Sequence, residues 1–211
     1  MPTIQQARGW YADSDPVHDF EHILRVYHMA ERLGPAAGAD MRILRAAALL
    51  HDAEGTTPGS SERKHHHLAS ADFAARVLEE EGWSAADIAA VQHCIRAHRF
   101  RGTGESPETP EARALFDADK LDVLGAVGVA RVVAYAALNH QPVYAQPSES
   151  FLASGEKEPG EPHSAYHEFL FKLRKVKERM FTHEARQIAI EREAYLAEFF
   201  RRLAAETDGE M

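Results

Sequence analysis

Apolar residues recur along this chain at intervals of three and four, and no stretch alternates convincingly at every second position. That spacing is the signature of amphipathic helices. Phe20, Ile23, Leu24, Tyr27, Ala30 and Leu33 trace one such stripe over about 18–33, which Gly34-Pro35 is expected to end. A short helix is predicted before it at 3–12, with Asp13-Ser14-Asp15-Pro16 as the turn and helix start between them. Asp40 opens the next helix, whose run Ala46-Ala47-Ala48-Leu49-Leu50 stops abruptly at His51-Asp52.

A polar loop at 55–61 leads into helices at about 62–81 and 85–98. The first stops at Gly82, and Ser84 caps the second. Pro110 opens a helix carrying Asp117-Ala118-Asp119-Lys120-Leu121-Asp122. A small-residue segment over 123–138 follows, where Gly125 and Gly128 permit close helix packing. Residues 139–162 hold four of the ten prolines and read as a long mobile loop. Two last helices are expected at about 163–181 and 182–206. The predicted fold is all-α: one domain over 1–211, with a helical core at about 18–135 and two C-terminal helices packed on it.

Composition narrows the function. At 211 residues and 45% hydrophobic content the chain can bury a sizeable core. A formal net charge of −9 argues against stable nucleic-acid binding through a basic surface, although a local basic pocket remains open. A single cysteine, Cys94, cannot form an intrachain disulfide, which fits a reducing compartment. No basic-then-apolar leader and no run of ~18 apolar residues is seen. The expectation is a cytoplasmic protein with no membrane association, either monomer or homodimer.

The 13 histidines are the oddity. A buried imidazole and carboxylate at the end of an apolar helix are costly unless something pairs with them. His51-Asp52 is therefore either a core histidine capped by its neighbour or part of a metal site. His22 lies between apolar Phe20 and Ile23, and Asp119 is crowded by Leu121, Val123 and Leu124. Together, His22, His51, Asp52 and Asp119 offer two imidazoles and two carboxylates on three helices. That donor set suits Mn²⁺, Fe²⁺, Co²⁺, Ni²⁺ or Zn²⁺ and lacks the thiolates of a structural zinc site.

The order His…His-Asp…Asp resembles the signature of the HD-domain metal-dependent phosphohydrolases. His18-Asp19-Phe20-Glu21-His22-Ile23-Leu24-Arg25-Val26, Ala47-Ala48-Leu49-Leu50-His51-Asp52, Ala97-His98-Arg99-Phe100 and Asp117-Ala118-Asp119-Lys120-Leu121-Asp122 carry the resemblance. So do Gly125 to Arg131 and Phe171-Lys172-Leu173 with Met180-Phe181-Thr182. They are similar to a stand-alone bacterial branch, some of whose members resemble nucleotide pyrophosphatases.

The resemblance implies metal ligands at His22, His51, Asp52 and Asp119, holding one divalent ion. Mn²⁺ is the first choice, with Mg²⁺, Co²⁺, Ni²⁺, Fe²⁺ and Zn²⁺ as alternatives. It implies a phosphate-contacting Lys120, pocket cations at Arg131 and Lys172, and Asp52, Asp119 or Glu54 handling the attacking water. His18, His66, His93 and His98 are expected to contact phosphate. The implied reaction is hydrolysis of a phosphoester or phosphoanhydride of a small nucleotide-like substrate. A dinuclear oxygenase or phosphodiesterase and a non-catalytic signalling domain are the alternatives.

Overall fold

In the computed structural model the described residues are 1–11, 20–54, 65–100, 102 and 104–210. The turn expected at 13–16, His18 and the loop at 55–61 lie outside them. All regular structure among the described residues is helical. The helices are α1 (Ile4–Trp10), α2 (Phe20–Ala37), α3 (Met41–Leu50), α4 (His66–Glu80), α5 (Ala85–Ala97) and α6 (Pro110–Leu121). They continue as α7 (Gly125–Leu138), α8 (Glu149–Ser154), α9 (Ala165–Phe171), a 3₁₀ helix (Leu173–Arg179) and α10 (His183–Thr207). The chain divides into two compact units, Met1–Asp119 and Lys120–Met211. No single helix among the described residues is long and apolar enough to cross a membrane.

The first unit is built around α3. Asp40 caps it, its carboxylate accepting from the Arg42 and Ile43 backbone N–H groups. Every side chain from Ala46 to Leu50 is buried, because α3 packs against α1, α2, α4 and α5. Burial of Leu44, Leu49 and Leu50 stabilises the unit by roughly 1.5–3 kcal/mol each. Ala7, Tyr11, Phe20, Ile23 and Leu49 form one apolar cluster joining α1 to α2 and α3. Tyr11 donates its hydroxyl to the Leu49 carbonyl at 2.9 Å, near the end of α3.

Helix α2 does not stop at Gly34-Pro35 as expected. It runs to Ala37 and closes at Gly38, whose φ of +72° needs no Cβ. The Gly38 N–H reaches the Pro35 carbonyl and the Ala39 N–H the Gly34 carbonyl, satisfying the orphan carbonyls of the last turn. Pro35 is tolerated because it lies in that final turn, where few helical bonds remain to be broken. Gly34 has a packing role: a Cβ there would fall 2.6 Å from both Leu44 Cδ2 and Met41 Sδ on α3.

In the second unit α10 packs on α7 and the 3₁₀ helix, and α9 packs on the same two elements. The Phe169 and Phe200 rings stack with centroids 4.8 Å apart. The helix expected at 163–181 is two pieces, divided at Lys172 and continued in tighter 3₁₀ form. The segment 139–162, expected to be a loop without structure of its own, contains α8 and is fastened by one carboxylate. Glu161 accepts from the Ser148 hydroxyl at 2.7 Å and backbone N–H at 2.8 Å, and from the Glu158 N–H at 2.7 Å. It also pairs with fully buried His167 at 2.9 Å, whose other ring nitrogen meets Ser164 Oγ at 2.7 Å. The Ser148 contacts lead in lowering the Glu161 carboxyl to about 2.

Gly125 and Gly128 were expected to allow close helix packing; Gly125 does so against α10, and Gly128 acts differently. Gly125 takes a left-handed φ of +70° with its open side against the Arg192 side chain of α10. Gly128 faces its own chain: an added Cβ would lie 2.3 Å from the Val123 carbonyl oxygen. Ala gains about 1 kcal/mol over Gly in a helix interior, but a backbone overlap of that size outweighs it. Gly128→Ala is expected to lower stability by about 1–3 kcal/mol in urea titration. An unchanged or raised midpoint would show that the 123–128 turn relaxes freely.

Candidate metal centre

Six polar side chains converge within the first unit, each placed by a helix end. His22 sits in the first turn of α2 and His66 opens α4. His51 and His98 are the C-terminal caps of α3 and α5, Asp52 follows His51, and Asp119 lies near the end of α6. The C-terminal ends of three helices thus face one locus. The negative ends of the helix dipoles favour a cation there.

His22 Nε2 lies 3.5 Å from Asp119 Oδ1 and 3.8 Å from Asp52 Oδ2, and His51 Nε2 lies 3.8 Å from Asp52 Oδ2. Asp52 Oδ1 faces the other way, 3.1 Å from His66 Nε2 and 3.4 Å from His98 Nε2. Two groups result: His22, His51 and Asp119, and Asp52, His66 and His98. Within each, the donor atoms lie within 4.8 Å of one another. Bonds of roughly 2.1 Å to one ion would set neighbouring donors about 3 Å apart and opposite ones about 4.2 Å. The His22–Asp119 separation of 3.5 Å and the 3.8 Å separations of His22 and His51 from Asp52 fall in that range.

The ring nitrogens are fixed by their outer partners. His51 Nδ1 meets the Ala48 carbonyl at 2.9 Å and His98 Nδ1 the Ile95 carbonyl at 2.5 Å. A carbonyl only accepts, so both Nδ1 atoms carry hydrogen and both Nε2 atoms present lone pairs. His66 is the reverse. Arg99 Nη1 donates to its Nδ1 at 3.0 Å, so its Nε2 carries the hydrogen that faces Asp52 and His98.

His51 Nε2 is buried without a hydrogen bond, whereas Asp52 Oδ1 has the ring nitrogens of His66 and His98 against it. A fully buried lone pair with no donor is the vacancy a cation fits. The His22, His51, Asp52 and Asp119 donor set therefore suits a divalent ion on structural grounds. Burial, partly offset by the Asp52 charge, lowers His51 to about 4 and keeps it neutral, as a ligand must be. Burial opposes ionisation of Asp52, but the imidazoles of His51, His66 and His98 around it outweigh it. The carboxyl is held well below its ordinary range.

Of the other expected residues, His66 and His98 join the group. His93 does not: its ring meets Glu105 at 2.6 Å and the Glu108 N–H at 3.3 Å, tying residues 105–108 to α5. Glu54 is exposed and outside both groups. Its backbone is pinned by the Ser70 hydroxyl. Lys120 begins the second unit, where Arg131 pairs with Asp122 and Lys172 with Glu168. His18 lies outside the described residues. Arg99 was not anticipated as part of the site. Its only signal was its place directly after His98.

A model of the HD domain family matches residues 19–124. YpgQ of Bacillus subtilis strain 168, described as uncharacterized, is 31% identical over 216 residues, spanning 99% of this chain and 96% of its own. The crystal structure of B. subtilis YpgQ in complex with ADP superposes with a TM-score of 0.74 at 28% identity, covering 99% of this chain and 100% of that one. An HD-superfamily hydrolase from Bacillus thuringiensis gives 0.71 at 27% identity, over 97% and 94% of the two chains.

A pH dependence follows for the metal-free protein. His51 is lowered on folding, so between its folded value of about 4 and its ordinary value the unfolded chain binds more protons. The stability contributed by neutral His51 is present at pH 7 and is lost progressively as pH falls through 6.5 toward 4. Urea unfolding at pH 5 should show a loss of about 1–2 kcal/mol relative to pH 7, and His51→Phe should flatten that slope. An equal slope in the variant would contradict the assignment.

Proposed function

The chain belongs to the HD domain family and is a metal-dependent hydrolase in type, and from that premise we propose that it hydrolyses a phosphoester or phosphoanhydride of a nucleotide. The observation that carries the reading is the convergence of His22, His51 and Asp119 beside Asp52, with the His51 lone pair buried and unbonded. ADP bound to the related YpgQ supports a nucleotide as the substrate class.

We assign one divalent ion to His22, His51, Asp52 and Asp119, with Mn²⁺ preferred. When bound, such an ion polarises a phosphoryl oxygen and lowers the pKa of water. Asp52 and Asp119 are placed to orient a water and take its proton. His66, its Nε2 hydrogen fixed by Arg99, donates toward phosphoryl oxygens or the leaving group. Lys120, next after Asp119 on α6, takes the phosphate-contacting role that the family resemblance implies.

The Asp52, His66 and His98 group favours a second reading, a dinuclear centre. Two features support the mononuclear one: the His66 Nε2–H already lies between Asp52 Oδ1 and His98 Nε2, and the Arg99 cation stands directly behind His66.

The test is a screen of purified protein with Mn²⁺, Mg²⁺, Co²⁺ and Ni²⁺ against NTPs, dNTPs, mononucleotides and a generic phosphoester, with metal content measured on the same samples. One ion per chain and nucleotide hydrolysis are expected. Asp119→Ala should lose the ion and reduce kcat/KM by about a hundredfold or more. Full metal content and full activity in that variant would refute the ligand set, and two ions per chain would select the dinuclear reading.

A further inference from the structure

The second unit holds a cationic hollow that the metal-centre reading leaves unused. The chain is acidic overall, yet Phe171 to Arg179 (Phe-Lys-Leu-Arg-Lys-Val-Lys-Glu-Arg) gathers five cations. Lys172 and Lys177 are paired with Glu168 and Glu193. Arg174 and Lys175, exposed on the 3₁₀ helix, make no salt bridge among the described residues. Lys175 Nζ instead stands 4.7 Å from the Phe171 ring centroid.

These two cations rim two adjoining hollows of about 200 and about 260 Å³, both also lined by Leu170. The larger is bordered by Arg174, Lys175 and Lys177, with the carboxylate of Glu178 at its edge. The other runs between α8 and the start of the 3₁₀ helix and has an apolar wall. Leu152 is 60% exposed and Phe171 48% exposed there. Gly155, at φ +80°, lets the Phe171 ring pack against the backbone: a Cβ would lie 2.0 Å from the ring. Two adjoining hollows, one with three cations to one carboxylate and one lined by an aromatic ring, match a ligand with an anionic end and a flat apolar end. Small-molecule sites share that mixture of apolar wall and few polar anchors, at roughly 300–1,000 Å³. Arg and Lys without carboxylate partners are the donors that phosphate oxygens recruit.

We propose that this hollow binds a nucleoside phosphate, with the phosphates held by Arg174 and Lys175 and the base against Leu152 and Phe171. Its choice of ligand rests on the nucleotide reading above; its position does not involve the metal ligands. An accessory site of this kind would let nucleotide bind the protein without the metal.

The test is calorimetric titration of the full chain carrying Asp119→Ala and stripped with EDTA, using ADP, adenosine and inorganic tripolyphosphate. ADP should bind, tripolyphosphate more weakly, and adenosine not measurably. Arg174→Glu with Lys175→Glu should weaken ADP at least tenfold with the thermal midpoint retained. Phe171→Ala should weaken ADP and leave tripolyphosphate unchanged. ADP affinity should fall as salt is raised. No ADP binding by the metal-free protein, or binding indifferent to both variants, overturns the site even if the native protein hydrolyses nucleotides. Binding that follows this pattern in a protein with no hydrolytic activity sustains the site while refuting the catalytic reading.

Discussion

The first unit depends on one constraint: His51 and Asp52 are buried at the end of α3, where water cannot solvate them. Helix α3 is enclosed by four other helices, and its small residues Ala46, Ala47 and Ala48 let them come close. The helix must nevertheless end in two polar groups. Their solvation is replaced from outside by the Ala48 carbonyl, His66 and His98, each fixed in turn by its own partner. What these contacts leave over is a lone pair on His51, the feature that suits the site to a cation. Burial thus sets the cost and also keeps His51 neutral, with its lone pair available.

Much of this was legible in the sequence because helix periodicity and end signals are local. The helical class follows from apolar spacing, and caps at Asp40, Ser84 and Thr182 mark three starts. His51-Asp52 stood out because a polar pair ends an apolar run. What was hidden depends on distant partners. Pro35 looked like a stop, but its place in a last turn closed by Gly38 made it harmless. His93 and His98 looked equivalent as residue types. Glu105 captures one, while the end of α5 delivers the other to Asp52. The same holds for 139–162, where proline content suggested freedom and the four-way contacts of Glu161 impose order.

Two kinds of electrostatic environment coexist. In the first unit, charge is gathered inward and balanced among imidazoles, carboxylates and helix ends. On the 3₁₀ helix of the second unit, cations alternate between paired and unpaired within a few residues. Net charge describes neither, since each is shielded at distances beyond about 10 Å. An acidic chain therefore presents no contradiction with an anionic ligand.

The placement of ligands on helix ends bears on how the protein is made. The donor atoms come from residues 22, 51, 52, 66, 98 and 119, and the last of them closes the first unit. A chain emerging from the ribosome displays its histidines and Asp52 well before Asp119 exists. On the ligand set proposed above, the last of the four donors to be made is Asp119, so ion binding at full strength would wait for the end of the first unit's synthesis.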